Sequence, residues 1–234
     1  MNEGPTFTFK VDSFCQRFPE EIPVWGTNFL AFPIGKFSPE FQKQYDALVE
    51  ASKTLLEGCS VYMYPRQYLH ITLGPPALFL HENAVSVEKR GHFERLWHEK
   101  VEEATKRDDW PQVFELHYKE MRLEAAAAFF VVEDRSGSIS TVRTILKRLS
   151  EEIVSQHPDF PQIRIPNIIH TTFLRFMKAP LVSEEEVRVR FGKLQAFWKE
   201  PIAVKCEKMV HMREVRPYLH QDNTNNILGE YKYK

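Results

Sequence analysis

Two short apolar runs, Leu69-His70-Ile71-Thr72-Leu73 and Ile169-His170-Thr171-Thr172-Phe173, lie about 100 residues apart and share one pattern. Each carries a histidine followed two residues later by a threonine. Turn formers bound both: Pro65 and Pro75-Pro76 flank the first, Pro166-Asn167 and Pro180 the second. Short β-branched runs set between such residues predict strands. Side chains on a strand alternate between faces, so His70 shares a face with Thr72, and His170 with Thr172. Ile71 and Thr171 point the other way.

The elements around the two runs come in the same order twice. In the first half, a strand over 29–34 precedes a helix over 39–57, where Phe41, Tyr45, Leu48, Ala51 and Leu55 recur at helical spacing and Gly58 follows. Residues 61–64 lead into the first histidine strand. A charged amphipathic helix over 84–107 and an alternating strand over 113–123 complete the half. In the second half, a buried strand over 127–132 is followed by a helix over 138–156 and a histidine strand over 163–176. Ser183 and Glu186 form a capping box that opens another helix, and 202–215 returns as a strand. Phe32 precedes His70 by nearly the interval that separates Phe130 from His170. Such spacing predicts a strand-helix-strand-helix-strand unit used twice, with a pseudo-twofold axis setting the histidine strands across a shared groove.

Two facing imidazoles suit proton transfer, because each titrates near neutrality and one accepts a proton while the other donates. Thr72 and Thr172 add hydroxyl donors for phosphoryl oxygens whose charge grows in a transition state. The plainer alternative is a pair of core or edge histidines. Chance supplies roughly 0.4 His-x-Thr matches in a chain with this many histidines, so one match means little and two, both centred in strands, mean more.

Here the residues resemble a family. His70-Ile71-Thr72-Leu73 and His170-Thr171-Thr172-Phe173 are similar to the paired His-hydrophobic-Thr-hydrophobic signatures of the two-histidine phosphoesterase superfamily, which has the LigT-like fold. The superfamily includes RNA 2′,3′-cyclic phosphodiesterases, plant cyclic nucleotide phosphodiesterases and 2′,5′-oligoadenylate phosphodiesterases. Arg175 matches an arginine found five residues after the histidine in the bacterial LigT-like enzymes. Gly74-Pro75-Pro76 departs from the apolar-aromatic continuation usual after the first motif, and Thr171 stands where an aliphatic residue is commoner.

The resemblance implies an α+β fold of two pseudo-symmetric lobes, each an antiparallel sheet with helices on its outer face, around a central groove. It implies a metal-independent phosphodiesterase without a cofactor, with His70 and His170 as the reciprocal acid and base. Thr72, Thr172 and Arg175 would then bind the substrate phosphate. Strand alternation from His70 sends Tyr68 to the groove, either to stack on a base or to fill the groove floor. Alternation from His170 sends Arg175 to the opposite face, so it reaches the phosphate only if the strand ends or bulges after Phe173; otherwise it forms a surface ion pair.

The simplest substrate is the 2′,3′-cyclic phosphate of a nucleotide or RNA end. A linear 2′,5′-oligoadenylate, or binding of phosphorylated ends without cleavage, are the alternatives, the last supported by Gly74-Pro75-Pro76 alone. With 31 Lys and Arg against 32 Asp and Glu, the chain lacks the basic excess of proteins that track long duplexes, so the expected partner is a small nucleotide or an RNA terminus.

The 234 residues can bury a sizeable core. The expected division is an N-terminal extension over 1–27 whose Phe7, Phe9, Phe14 and Phe18 dock on the domain. A bilobal domain follows over 28–217, with lobes 28–123 and 126–217, and then a polar tail over 218–234, disordered or folded back. Cys15, Cys59 and Cys206 fit reduced thiols rather than a disulfide framework or zinc spacing. With no signal-peptide pattern and no long apolar run, a monomeric cytoplasmic or nuclear protein without membrane contact is expected. The other histidines, His81, His92, His98, His117, His157, His211 and His220, are expected at the surface, with His211 placed to border the groove.

Overall fold

A computed structural model describes residues 9, 11, 15, 17, 24–32, 38–80, 84–199, 201–219 and 226–234. Nine strands and four helices follow one another among these residues: β1 (Gly26–Phe32), α1 (Pro39–Leu55), β2 (Val61–Met63), β3 (Ile71–Ala77), α2 (Val87–Thr105), β4 (Phe114–Leu123), β5 (Ala127–Asp134), α3 (Ser138–Gln156), β6 (His170–Phe176), α4 (Glu184–Gln195), β7 (Ile202–Cys206), β8 (Lys208–Glu214) and β9 (Ile227–Lys232). Single 3-10 turns occupy Arg66–Tyr68 and Pro217–Leu219.

Local chemistry sets the helix starts. Ser38 accepts the Phe41 N–H ahead of Pro39, and Ser183 accepts the Glu186 N–H, satisfying donors that a helix leaves unpaired at its first turn. The Asp134 carboxylate does the same for the Ile139 N–H at 2.7 Å.

The strands form two antiparallel sheets, β3-β1-β8-β9 and β2-β6-β5-β4-β7. The sheets are not the two halves of the sequence. β8 and β9 come from the second half yet join β1 and β3, while β2 and β4 come from the first half yet join β5 and β6. The helices cross over in the same way. α3 packs on β3 and on α2, which in turn lies against β9; α4 packs on β4 and on α1. Each lobe is therefore built from both halves, with β1-β3 and β5-β6 as corresponding strand pairs.

Apolar side chains between each sheet and its helices form the core. Phe41, Tyr118, Phe130 and Trp198 meet edge to face or tilted beneath the second sheet, and Phe29, Phe93 and Trp97 beneath the first.

The stretch expected as one strand over 202–215 is two, separated at Glu207 and lying in different sheets. β7 is an edge strand with alternating exposure, whereas β8 lies between β1 and β9 with both faces covered. The second histidine strand is shorter than expected: residues 163–169 approach β6 as irregular chain. Of the tail, Ile227–Lys232 is β9, and Tyr231 and Tyr233 are buried in the core. Phe9 packs edge-on against Phe176 at 4.7 Å, while Phe7, Phe14 and Phe18 fall outside the described residues. No helix among the described residues is long and apolar enough to cross a membrane. Cys15, Cys59 and Cys206 are buried and joined in no disulfide among the described residues.

Candidate active site

The two histidine strands carry the same irregularity. On β3, Thr72 pairs with Leu30 and Gly74 with Phe29, which leaves Leu73 as an extra residue. On β6, Thr172 pairs with Phe129 and Leu174 with Ala128, which leaves Phe173 extra. Each is a bulge one residue beyond the motif threonine. Its effect on β6 follows from the register: His170, Thr172 and Arg175 oppose Val131, Phe129 and Ala127, which share one face of β5. Arg175 thus joins the histidine face, the outcome that alternation alone denies it. Thr171, Phe173 and Leu174 turn to the core and are fully buried. The Thr171 hydroxyl, unusual at its position, meets the Tyr118 hydroxyl at 3.0 Å.

His70 immediately precedes β3 and His170 opens β6, and the two strands touch across the lobes. The imidazoles lie within electrostatic reach of each other and of Arg175. Tyr68 supplies a backbone carbonyl 2.7 Å from His70 Nδ1. A carbonyl only accepts, so Nδ1 carries the proton and the neutral ring presents Nε2 as its lone-pair nitrogen. Burial lowers the His70 pKa to about 4, opposed by the Tyr68 carbonyl and reinforced by His170 and Arg175. Burial, then Arg175 and Arg143, lower that of His170. The His170 ring packs edge-on against Phe129.

Arg175 is held on two sides. Its Nε donates to the Tyr64 hydroxyl at 3.1 Å, and its guanidinium lies 3.8 Å above the Tyr218 ring. The Tyr64 hydroxyl donates in turn to the Tyr218 carbonyl at 2.8 Å. Tyr218 has φ 57°, the one positive value for a residue other than glycine among the described residues. A bulky side chain in that region is strained by about 1–3 kcal/mol, a cost that recurs at functional sites. Glu214 of β8 also acts on this end of the groove. Burial pushes its carboxyl up to about 7, against a hydrogen bond with Asn28 and the charge of Arg175.

Arg143 of α3 ties the motifs together. Its Nη2 donates to the Thr72 and Ile168 carbonyls, both at 2.9 Å, one on each histidine segment.

His70, His170 and Arg175 therefore lie within electrostatic reach of one another, Thr172 shares their face of β6, and Thr72 stands opposite Leu30 on β3. Tyr68 departs from the strand alternation on which its expectation rested. It sits in a 3-10 turn rather than a strand, its half-buried ring packs against the core, and its carbonyl positions His70. His211 is fully buried on the opposite face of β8, stacked on Phe29 at 4.3 Å, because its register partner is Phe29 and not a groove residue. His81 and His220 lie outside the described residues. Tyr64, Arg143, Glu214 and Tyr218 were not anticipated. Arg143 alone left a trace, as a cation inside the apolar stripe of α3.

No family model and no curated protein matches this sequence. Solved structures do. TT0787 of Thermus thermophilus superposes with a TM-score of 0.51 at 16% identity, covering 88% of this chain and 97% of that one. LigT of E. coli, in complexes with NADP+ and with 3′-AMP, superposes with a TM-score of 0.51 at 12% identity, covering 91% of this chain and 99% of its own. This chain has the LigT-like fold. A phosphoesterase of solved structure shares it at 13% identity and a TM-score of 0.51, covering 89% of this chain and 98% of its own. The likeness is one of fold: two antiparallel sheets with helices packed on them.

Proposed function

We propose that the protein is a two-histidine phosphodiesterase that opens a 2′,3′-cyclic phosphate on a nucleotide or RNA end. The observation that supports this reading is that His70, His170 and Arg175 lie within electrostatic reach of one another, with the His70 tautomer set by the Tyr68 carbonyl.

His70 acts as the base. Its Nε2 takes a proton from water as the water oxygen bonds to phosphorus. His170 acts as the acid and gives its proton to the departing ribose oxygen as the P–O bond breaks. Arg175, Thr72 and Thr172 hold the two non-bridging oxygens, where negative charge grows. Two proton carriers and these donors supply the acid, the base and the oxyanion contacts without a metal in the scheme. Small nucleotides suit the groove by analogy with LigT, which has been captured with 3′-AMP. Gly74 has a packing reason, since a Cβ there would lie 2.9 Å from the Ile163 side chain, so it gives no ground for a non-cleaving binder.

The test is turnover of a panel of 2′,3′-cyclic nucleotides and 2′,5′-linked oligomers in EDTA. We expect EDTA-resistant hydrolysis of the cyclic compounds, reduced about 10²-fold or more by either His70→Ala or His170→Ala. Unchanged turnover in both variants would reject the mechanism, and cleavage confined to the 2′,5′-linked oligomers would reject the substrate.

A further inference from the structure

Arg143 has a second aspect. It lines a cavity of about 590 Å³ between α3 and residues 162–169, a volume in the range of small-ligand sites. The α3 wall is a polar stripe, Ser140, Arg143, Thr144 and Lys147, at the spacing of one helix face. Asn167 faces it from the loop, and Glu151 is the one acidic residue in the lining. Two cations against one carboxylate favour an anion.

The arginine is prepared for one. It is 9% exposed, its Nη2 is engaged by the Thr72 and Ile168 carbonyls, and its buried Nε has no hydrogen-bond partner among the described residues. The cavity also adjoins the groove: Ile169, the residue before His170, lines it, and the charge of Arg143 acts on His170.

We propose that this cavity is a second phosphate subsite, one that takes the phosphodiester one nucleotide away from the scissile phosphorus. The favoured substrate is then a short oligonucleotide end rather than a mononucleotide. Arg143 and Lys147 supply the charge and Ser140 a hydroxyl, while the Thr144 hydroxyl donates to the Ser140 carbonyl at 2.9 Å. The assignment of the ligand as a nucleotide chain rests on the proposed function.

The experiment compares adenosine 2′,3′-cyclic phosphate with an adenylyl dinucleotide ending in the same group, using the full chain and Lys147→Glu. The wild type should favour the dinucleotide about tenfold in kcat/KM, the worth of one charge-assisted contact, and the ratio should fall to about one in Lys147→Glu. Calorimetric titration with adenosine 2′-phosphate and with the dinucleotide 2′-phosphate reads the same preference without turnover. If neither cyclic compound is hydrolysed, the catalytic reading fails, while a binding preference lost in Lys147→Glu still supports the subsite. Equal affinities in the wild type, or a preference that survives Lys147→Glu, overturns it.

Discussion

β3 and β6 begin alike and end differently. Each presents a histidine, then a threonine, then a bulge at Leu73 or Phe173. Past the bulge, β3 continues Gly74-Pro75 and β6 continues Leu174-Arg175. Gly74 leaves room for Ile163 and Ile165, and the Pro75 carbonyl accepts the Arg164 N–H at 3.2 Å, so this end of β3 is closed by the returning chain. Arg175 instead enters the groove between Tyr64 and Tyr218. The histidines differ too: a carbonyl sets the tautomer of His70, whereas His170 rests against Phe129. A repeated unit supplies a matched pair of proton carriers, and the unmatched residues after the bulges give the pair a direction, with the cation on one side only.

The sharpest way to break this comparison is to remove that cation. Arg175→Ala should lower kcat/KM about 10²-fold, as expected for one donor to a developing oxyanion. Arg175→Lys should recover little, because an ammonium lacks the planar fork that reaches Tyr64, the Tyr218 ring and a phosphoryl oxygen together. Full activity in Arg175→Ala would make the groove symmetric in function and return the arginine to a structural role.

The two imidazoles should also part company in their pH dependence. Catalysis needs His70 neutral and His170 protonated. The His70 pKa of about 4 places the acidic limb of kcat/KM there, with activity rising as pH increases. The His170 pKa lies below its ordinary 6.5, so the alkaline limb falls on the acidic side of neutrality. A bound phosphodiester anion favours both imidazolium forms, so the kcat profile should lie at higher pH than that of kcat/KM. A profile still rising above pH 8 would remove His170 as the acid.

Much of this was legible because it is written in hydrophobic period. Each of the four helices shows an apolar stripe at helical spacing, and the strands at His70 and His170 are set off by proline. The exchange of strands between halves was not, since pairing partners leave no mark in local pattern. The division of 202–215 did leave one: Ile202, Val204 and Cys206 alternate with polar residues, whereas Met209-Val210-His211-Met212 does not, the signature of an edge strand followed by a covered one. β9 was hidden because its buried Tyr231, and Tyr233 just beyond it, sit among charges. The position of Arg175 turned on a bulge, which shifts faces without altering composition. Tyr218 gave no signal, because a positive φ at tyrosine answers to tertiary contacts alone.

The packed end of β3 offers a smaller effect. Gly74→Ala places a Cβ about 3 Å from the side-chain ends of both Ile163 and Ile165, and should cost about 2 kcal/mol of stability as those residues shift. Ile163→Val in the same chain should restore part of the loss, measured by denaturant midpoint. The loop from 163 carries into His170, so activity should fall along with stability. Leu174→Ala, at the matching place on β6, removes buried volume instead and should find no rescue at Ile163.

Tyr64→Phe is the finest of these tests, because it changes one oxygen. That hydroxyl accepts from Arg175 Nε and donates to the Tyr218 carbonyl, so it fixes both the guanidinium and the strained turn beneath it. Burial, opposed by Arg175, raises its pKa, so it keeps its proton across the neutral range and continues to donate. Removing it leaves the ring packing intact and takes away two hydrogen bonds beside Arg175. A loss of about 1 kcal/mol in stability is expected. If the bond also aims Arg175, kcat/KM should fall about fivefold, with Arg175→Ala and the double variant equally impaired, since Tyr64 acts only through the arginine. Additive losses would mean that Tyr64 touches substrate itself. Lost stability with unchanged kinetics would mean that the Tyr218 ring alone orients Arg175, leaving the asymmetry between the two strands resting on a cation stacked over an aromatic face.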